Sequence, residues 1–229
     1  LRKGIQTTQE RKETTMTSFL KGVKFHLVTS DKLLQDYFTD LGAVHTDKVF
    51  DADFALFPGG EDVAPFLYGQ MAHETTHSNF KRDRKEVWTF KSLPSDMHKV
   101  GICRGSQFLC VMGGGTLWQD VDGHCGEHML TDVRTGELRS TTSTHHQMMA
   151  PPDHALILAT AGETTYKSSD VVTVTQDHSR HEQDIEALFI EQTNSLCFQG
   201  HPEYGNEDCS QYFQDLLAEH LEGVIVCAD

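Results

Sequence analysis

The chain contains no apolar run near the ~18 residues that a membrane-spanning helix needs. Its first residues lack the apolar segment of a secretory signal. Positive charge is scarce: 19 Lys and Arg stand against 34 Asp and Glu, a formal net charge of −15. That average field repels phosphate backbones, so neither nucleic acid nor membrane is an expected partner. The one compact basic stretch, Lys81 to Lys85, also carries Asp83 and reads as a helix start. None of the six cysteines (103, 110, 125, 197, 209 and 227) forms a Cys-x-x-Cys pair, and none has the spacing of a small disulfide scaffold. Reduced thiols and a cytoplasmic location are the expectation. Internal repeats, low-complexity tracts and linkers rich in Pro, Gly or Ser are also missing. The 229 residues therefore read as one domain with one sizeable core. Residues 1–15 are polar and charged, the expected behaviour of a flexible leader, with Met16 a candidate start and 16–229 the folded unit.

Alternating elements occupy the first half. Lys24 to Thr29 reads as a strand, and Asp31 to Leu41 follows with apolar residues at the spacing of one helix face. Ser30 or Asp31 serves as N-cap and Gly42 as C-cap. Phe54 to Phe57 is a short buried strand stopped by Pro58-Gly59-Gly60. Asp83 to Leu93 is an expected helix with Val87, Phe90 and Trp88 turned inward. Val100 to Cys103 is then a strand and Ser106 to Met112 a helix. Alternation of this kind predicts an α/β fold: an open, mostly parallel twisted sheet with helices on both faces. Later runs at Val171–Thr175, Ala187–Glu191 and Leu196–Gln199 predict a small antiparallel β region in the C-terminal half. Tyr212 to Leu221 reads as a closing amphipathic helix.

The most informative run is Val100-Gly101-Ile102-Cys103-Arg104-Gly105-Ser106-Gln107. A strand ends in Gly-x-Cys-x-Gly and a helix begins at once, the arrangement of a nucleophile elbow. Glycines at 101 and 105 suit it, because flanking Cβ atoms would collide with sheet and helix. A helix N-terminus under Cys103 favours thiolate. A free thiol, with a pKa near ~8.5, still needs a base at neutral pH. Gln199-Gly200-His201-Pro202-Glu203 offers one: His201 to take the proton and Glu203 to hold its imidazole. On residues alone the alternatives stay open, a tight structural turn at 103 and a structural histidine beside Pro202.

GICRGSQ, GGTLWQD (Gly114 to Asp120) and GHPEY together resemble class I glutamine amidotransferase domains. Phe57 to Val63, Pro65, Tyr68-Gly69, Arg82-Asp83 with Glu86, and His145-His146-Gln147 extend the likeness toward the γ-glutamyl-γ-aminobutyrate hydrolase branch. The resemblance implies a flavodoxin-like fold and a Cys103–His201–Glu203 triad. It implies an oxyanion hole from the backbone N–H groups of Gly60 and Arg104, and substrate contacts at Gly59, Gln107, His145, His146 and Gln147. The implied activity is hydrolysis of a γ-glutamyl amide through a thioester, with no metal and no cofactor. A small γ-glutamyl substrate is the implied partner. The other readings are a synthetase that receives ammonia from this chain, a second copy of the chain, or a silent binding role.

Two histidine pairs, His73/His77 and His124/His128, have i, i+4 spacing, but neither sits in an H-E-x-x-H arrangement. Gly123 and Gly126 argue against a helix at the second pair, so all four are expected as solvated loop residues. Asp177 to Asp184 is expected as an exposed turn, and Cys197 and Cys227 as inert. Trp88 and Trp118 read as packing residues.

Overall fold

The structure, a computed structural model, describes residues 20–164, 167–168 and 183–221. The leader, the Val171–Thr175 strand, Cys227 and most of the 177–184 turn lie outside the described residues.

The first half follows the expected alternation. β1 (Lys24–Leu27) leads to α1 (Lys32–Asp40), whose cap Asp31 accepts from the Leu34 N–H at 3.0 Å. β2 (Val44–His45), β3 (Phe54–Phe57), α2 (Phe80–Ser92), β4 (His98–Ile102) and α3 (Arg104–Met112) follow. Then come β5 (Thr116–Trp118), β6 (Asp120–Val121), β7 (Cys125–Asp132), β8 (Leu138–Thr144), β9 (Met148–Ala150), β10 (Leu156–Ala161) and β11 (Lys167–Ser168). β12 (Asp184–Ile190), β13 (Ser195–Phe198) and α4 (Glu207–His220) close the described chain.

Nine strands form one sheet in the order β2-β1-β3-β4-β13-β12-β10-β7-β8. The five from β2 to β13 pair in parallel, and β12, β10, β7 and β8 extend the sheet in antiparallel register. Strand alternation splits the core between the two faces. Phe54 and Leu56 of β3 pack on one side with Phe38 of α1 and Phe213 of α4. Ala55 and Phe57 pack on the other with Phe108 and Leu109 of α3 and the partly buried Val87 and Phe90 of α2. Two short antiparallel pairs, β5-β9 and β6-β11, stand apart from the main sheet.

α2 turns Val87 and Phe90 toward the core as expected, but not Trp88. It starts at Phe80, capped by Asn79, whose side chain accepts from the Arg82 N–H at 3.3 Å. Trp88 is 72% exposed, whereas Asp83, Glu86 and Thr89 are buried. Apolar spacing misleads here because two arginines draw the carboxylates inward, as described below. Asp184, expected at an exposed turn, is a buried residue at the start of β12.

Cys103 lies between β4 and α3 with φ 51° and ψ −113°, a conformation that side-chain-bearing residues rarely adopt. Neighbouring elements enforce it. A Cβ on Gly101 would lie 2.6 Å from backbone atoms of Gly105 and Ser106, and one on Gly105 would overlap the Phe57 carbonyl oxygen. α3 can start this close to β3 and β4 only because neither position has a side chain. Gly105→Ala is expected to destabilise the protein by roughly 1–3 kcal/mol through overpacking. Urea unfolding measures that loss, and the rate of Cys103 alkylation reports the displaced turn.

Candidate active site

The parallel strands end at one edge of the sheet, and the expected site residues gather there. Cys103 follows β4, His201 follows β13 by three residues, and the Pro58–Gly60 turn follows β3. His201 Nδ1 lies 2.7 Å from Glu203 Oε1, which fixes the ring and leaves Nε2 facing away from the carboxylate. Cys103 lies beside His201, close enough to raise the pKa of its ring. Thr144 Oγ1, at the end of β8, stands 3.2 Å from His201 Nε2. Tyr204 stacks flat on the imidazole at 4.1 Å between ring centroids. Burial alone would lower the pKa of His201, but the neighbouring Cys103 and the bond to Glu203 outweigh it and lift it to about 10. The ring therefore holds both protons at neutral pH.

Gly59 lies against this pair. A Cβ there would sit 3.1 Å from His201 Cε1 and 3.6 Å from the Cys103 Cβ, so the bare backbone leaves the space above the sulfur open. Gly60 has φ 133°, and a Cβ on it would overlap the Arg82 guanidinium. Arg82 Nη2 donates to the carbonyls of Pro58 and Gly59 at 2.8 Å each, pulling both oxygens toward α2. Arg104 opens α3, where first-turn N–H groups have no intrahelical acceptor.

The Arg104 side chain points the opposite way and is 2% exposed. Its guanidinium bonds Asp83 and Glu86, reaches the Glu61 carbonyl at 3.1 Å and covers the Phe108 ring. Arg82 Nε joins the same Glu86 at 2.9 Å, and its Nη1 joins Glu61 at 3.2 Å. Burial lowers the Arg104 pKa to about 10, which leaves it charged at neutral pH. Two arginines and three carboxylates thus lock the 58–61 turn, α2 and the start of α3 together. Sequence reading picked out these residues without assigning them this role. The available signal was the placement of Arg82, Asp83 and Glu86 at helical spacing on a face that is otherwise apolar. Thr144 and the Tyr204 stack were missed, since nothing local in the sequence marks them.

The 145–147 turn sends its side chains in three directions. Gln147 is buried, and its carbonyl accepts from Gln107 Nε2 at 2.7 Å, tying the turn to α3. His146 bridges two loops, 3.0 Å from Asp62 through Nε2 and 3.4 Å from Asp120 through Nδ1. The hydrogen bond to Asp62 raises its pKa above the ordinary histidine value. His145 does not extend toward the Cys103–His201 pair. It is 4% exposed and stacks on His124 at 4.6 Å, with Glu186 near its Nε2. His124 and His128 also correct an expectation: both are buried, because the hairpin of β7 and β8 folds them under the sheet edge. His77 is exposed and His73 partly so, and they share no contact that would make them a pair.

Gly200 and Cys110 have local reasons. A Cβ at 200 would overlap Thr141 Oγ1 and approach Phe198 Cε1 to 3.0 Å, so β8 packs directly against the backbone before His201. Cys110 is fully buried under Gly115, and burial pushes its thiol pKa far up, as it does for Cys197. Both are inert fillers. Among the described residues, no helix is long and apolar enough to cross a membrane.

Comparison with known proteins agrees with the fold and the motifs. A glutamine amidotransferase-like protein of Lactococcus lactis subsp. cremoris, a YvdE homolog, is 37% identical over 100 residues, 41% of this chain and 50% of its own. A Mycobacterium tuberculosis protein named as a glutamine amidotransferase is 32% identical over 135 residues, 48% of this chain and 43% of its own. The chain thus matches half or less of the length of these curated relatives. A Thermotoga maritima glutamine amidotransferase of known structure superposes with TM-score 0.56 at 12% identity, covering 90% of each chain. A Thermoplasma acidophilum structure named for one chain of a GMP synthase superposes with TM-score 0.58 at 15% identity, covering 90% of this chain and 95% of its own. At such identities these two speak for the fold, which is that of class I glutamine amidotransferases. Residues 45–203 match the Peptidase C26 family across most of the described chain, and the protein belongs to that family.

Proposed function

We propose that the protein hydrolyses a γ-glutamyl amide, of glutamine or of a γ-glutamyl amine such as γ-glutamyl-GABA, with Cys103 as nucleophile. The observation that carries this reading is the linear set Cys103–His201–Glu203. The thiol sits on a strained turn at a helix start, beside an imidazole that Glu203 orients at 2.7 Å. Family membership supports an amide hydrolase or amidotransferase in general. The γ-glutamyl specificity rests on the motif resemblance.

In the first step the Cys103 thiolate attacks the γ-carbonyl carbon, and the carbonyl π electrons move to oxygen. The backbone N–H groups of Gly60 and Arg104 receive this oxyanion, a contact worth about 3 kcal/mol per donor in comparable sites. The imidazolium of His201 gives its Nε2 proton to the leaving nitrogen as the C–N bond breaks. Amine or ammonia departs and a γ-glutamyl thioester remains. Water then loses a proton to His201 and attacks the thioester carbon. The C–S bond breaks, glutamate leaves, and the thiolate–imidazolium pair returns. No step requires a metal or an organic cofactor. Gln107, His146 and Gln147 are assigned to the walls that hold the glutamyl end, with His146⁺ near its carboxylate side.

A second reading has ammonia passed to a separate synthetase polypeptide. It is favoured by the fold shared with one chain of a GMP synthase. A panel of glutamine, γ-glutamyl-GABA and γ-glutamyl-putrescine, with glutamate release measured, separates the two. Turnover of a γ-glutamyl amine by the chain alone supports the hydrolase. Activity on glutamine that appears only with an added partner supports the ammonia-donating role. Cys103→Ala is expected to abolish release in either case, and unchanged release would sink both.

Glu203→Gln tests the relay. Glu203 raises the His201 pKa, so its loss lowers that pKa, and the imidazolium is lost at lower pH. The alkaline limb of the kcat/KM profile, expected near pH 10 in the wild type, should move toward neutrality. kcat/KM should also fall by about 10²–10⁴-fold. A pH–rate profile across both proteins reads the shift and the loss separately.

A further inference from the structure

Behind the pocket wall, four buried side chains from four segments converge on one point. His124 precedes β7, His128 lies on it, His145 follows β8, and Glu186 is on β12. All four are 9% exposed or less, and Glu186 is wholly buried. Glu186 Oε1 stands 3.1 Å from His124 Nδ1, 3.3 Å from His128 Nε2 and 3.8 Å from His145 Nε2. Donors on a tetrahedral zinc with bonds of about 2.0–2.1 Å are spaced by about 3.3–3.4 Å. The donor atoms of His124, His145 and Glu186 all lie within 4.8 Å of one another.

The surrounding hydrogen bonds decide which ring nitrogens face this point. His124 Nε2 is 3.2 Å from Asp184 Oδ2 and 3.0 Å from Thr164 Oγ1, so it carries the proton and Nδ1 is left bare. His145 Nδ1 donates to the Gln147 carbonyl at 3.0 Å, which leaves Nε2 bare. Metal-bound histidines are oriented in this way, the far nitrogen giving its proton to a carboxylate or a carbonyl. His124 Nδ1 and His145 Nε2 are buried with no hydrogen bond, as is Glu186 Oε2, while Glu186 Oε1 pairs with His128 Nε2 at 3.3 Å. Lone pairs of nitrogen and carboxylate oxygen facing one another across 3.1 Å repel unless a cation lies between them.

We propose that His124, His145 and Glu186 bind one divalent transition-metal ion of the zinc type, at a site separate from the Cys103 chemistry, with His128 bonded to Glu186 beside it. All three donors are buried, at 4% exposure or less, so the ion braces the fold. It cross-links β7, β12 and the 145–147 turn, and through the Gln147 carbonyl it steadies Gln107. Asp184, itself paired with Lys167 Nζ at 2.7 Å, orients His124. The inference does not depend on the reaction assigned to Cys103. The competing arrangement is a proton in place of the ion, with His124 as an imidazolium between Asp184 and Glu186.

Full-length protein without a histidine tag, stripped with a chelator, should take up one Zn²⁺ per chain in equilibrium dialysis. Co²⁺ should give the visible bands of a four-coordinate ion and be displaced by Zn²⁺. Cys103→Ala should retain the ion, whereas His145→Ala and Glu186→Gln should bring uptake close to zero. Asp184→Asn should weaken binding by about 10–100-fold. Where a variant fails to fold, the wild-type Tm decides: a rise with one equivalent of Zn²⁺ supports the site, and no rise overturns it. Folded protein that takes up no stoichiometric ion, or loses it in Cys103→Ala while His145→Ala keeps it, also overturns the proposal.

Discussion

Everything near Cys103 depends on the close approach of α3 to β3 and β4. The gap where Gly105 meets the Phe57 carbonyl has no room for a single Cβ, and the same holds where Gly101 meets the first turn of α3. That contact forces Cys103 into positive φ and sets its sulfur at the helix start. It also sets the distance to the turn after β3, so the Gly59–Gly60 backbone passes beside the thiol. The strain at Cys103 is of order 1–3 kcal/mol, and it persists only where the surroundings over-determine it. Here they do, because the sheet register fixes β3, β4 and β13 side by side.

The turn after β3 is held by charge rather than by apolar packing. Arg82 takes up the carbonyls of Pro58 and Gly59, and Arg104 shares Glu86 with it from below. Taking such groups out of water is costly, and removing one partner from a buried set leaves the other uncompensated, typically at about 3–5 kcal/mol. The arrangement is therefore a poor source of stability compared with hydrophobic residues of the same volume. What it provides is direction: guanidinium forks fix carbonyl orientation in a way that apolar side chains cannot. The Gly60 backbone can then adopt a conformation that only glycine tolerates.

The legible parts of this fold were those written locally. The Gly-x-Cys-x-Gly turn, the capped α1 and the apolar run of β3 each carry their signal within a few residues, and the motif order supplied the family. The hairpin of β7 and β8 carries no such signal. Its residues from Cys125 to Thr144 are mostly polar, and pairing partners rather than apolar spacing make it a strand pair. Part of the face of α2 was misread for a related reason. Asp83 and Glu86 are buried only because Arg104, 21 and 18 residues further along the chain, fills the space above them. His124, His128 and His145 looked like surface residues since nothing nearby in sequence announces Glu186. Burial set by long-range charge partners is invisible to any periodicity.

The two charged clusters stand on opposite sides of the same pocket, and β8 connects them. Thr144 touches His201, and its neighbour His145 belongs to the metal cluster. The next residues return to the pocket, His146 onto Asp62 and Asp120, and Gln147 onto Gln107. Consecutive residues of one short segment are thus pinned to His201, to the buried histidine cluster, to Asp62 and Asp120, and to Gln107. A loosened ion site would release the 145–147 turn first, and with it the Gln147 carbonyl that holds Gln107. His201 is held by the same strand, its N–H donating to the Thr142 carbonyl at 3.0 Å and its carbonyl accepting from Thr142 Oγ1 at 2.7 Å, so β8 carries such a disturbance to the imidazole as well.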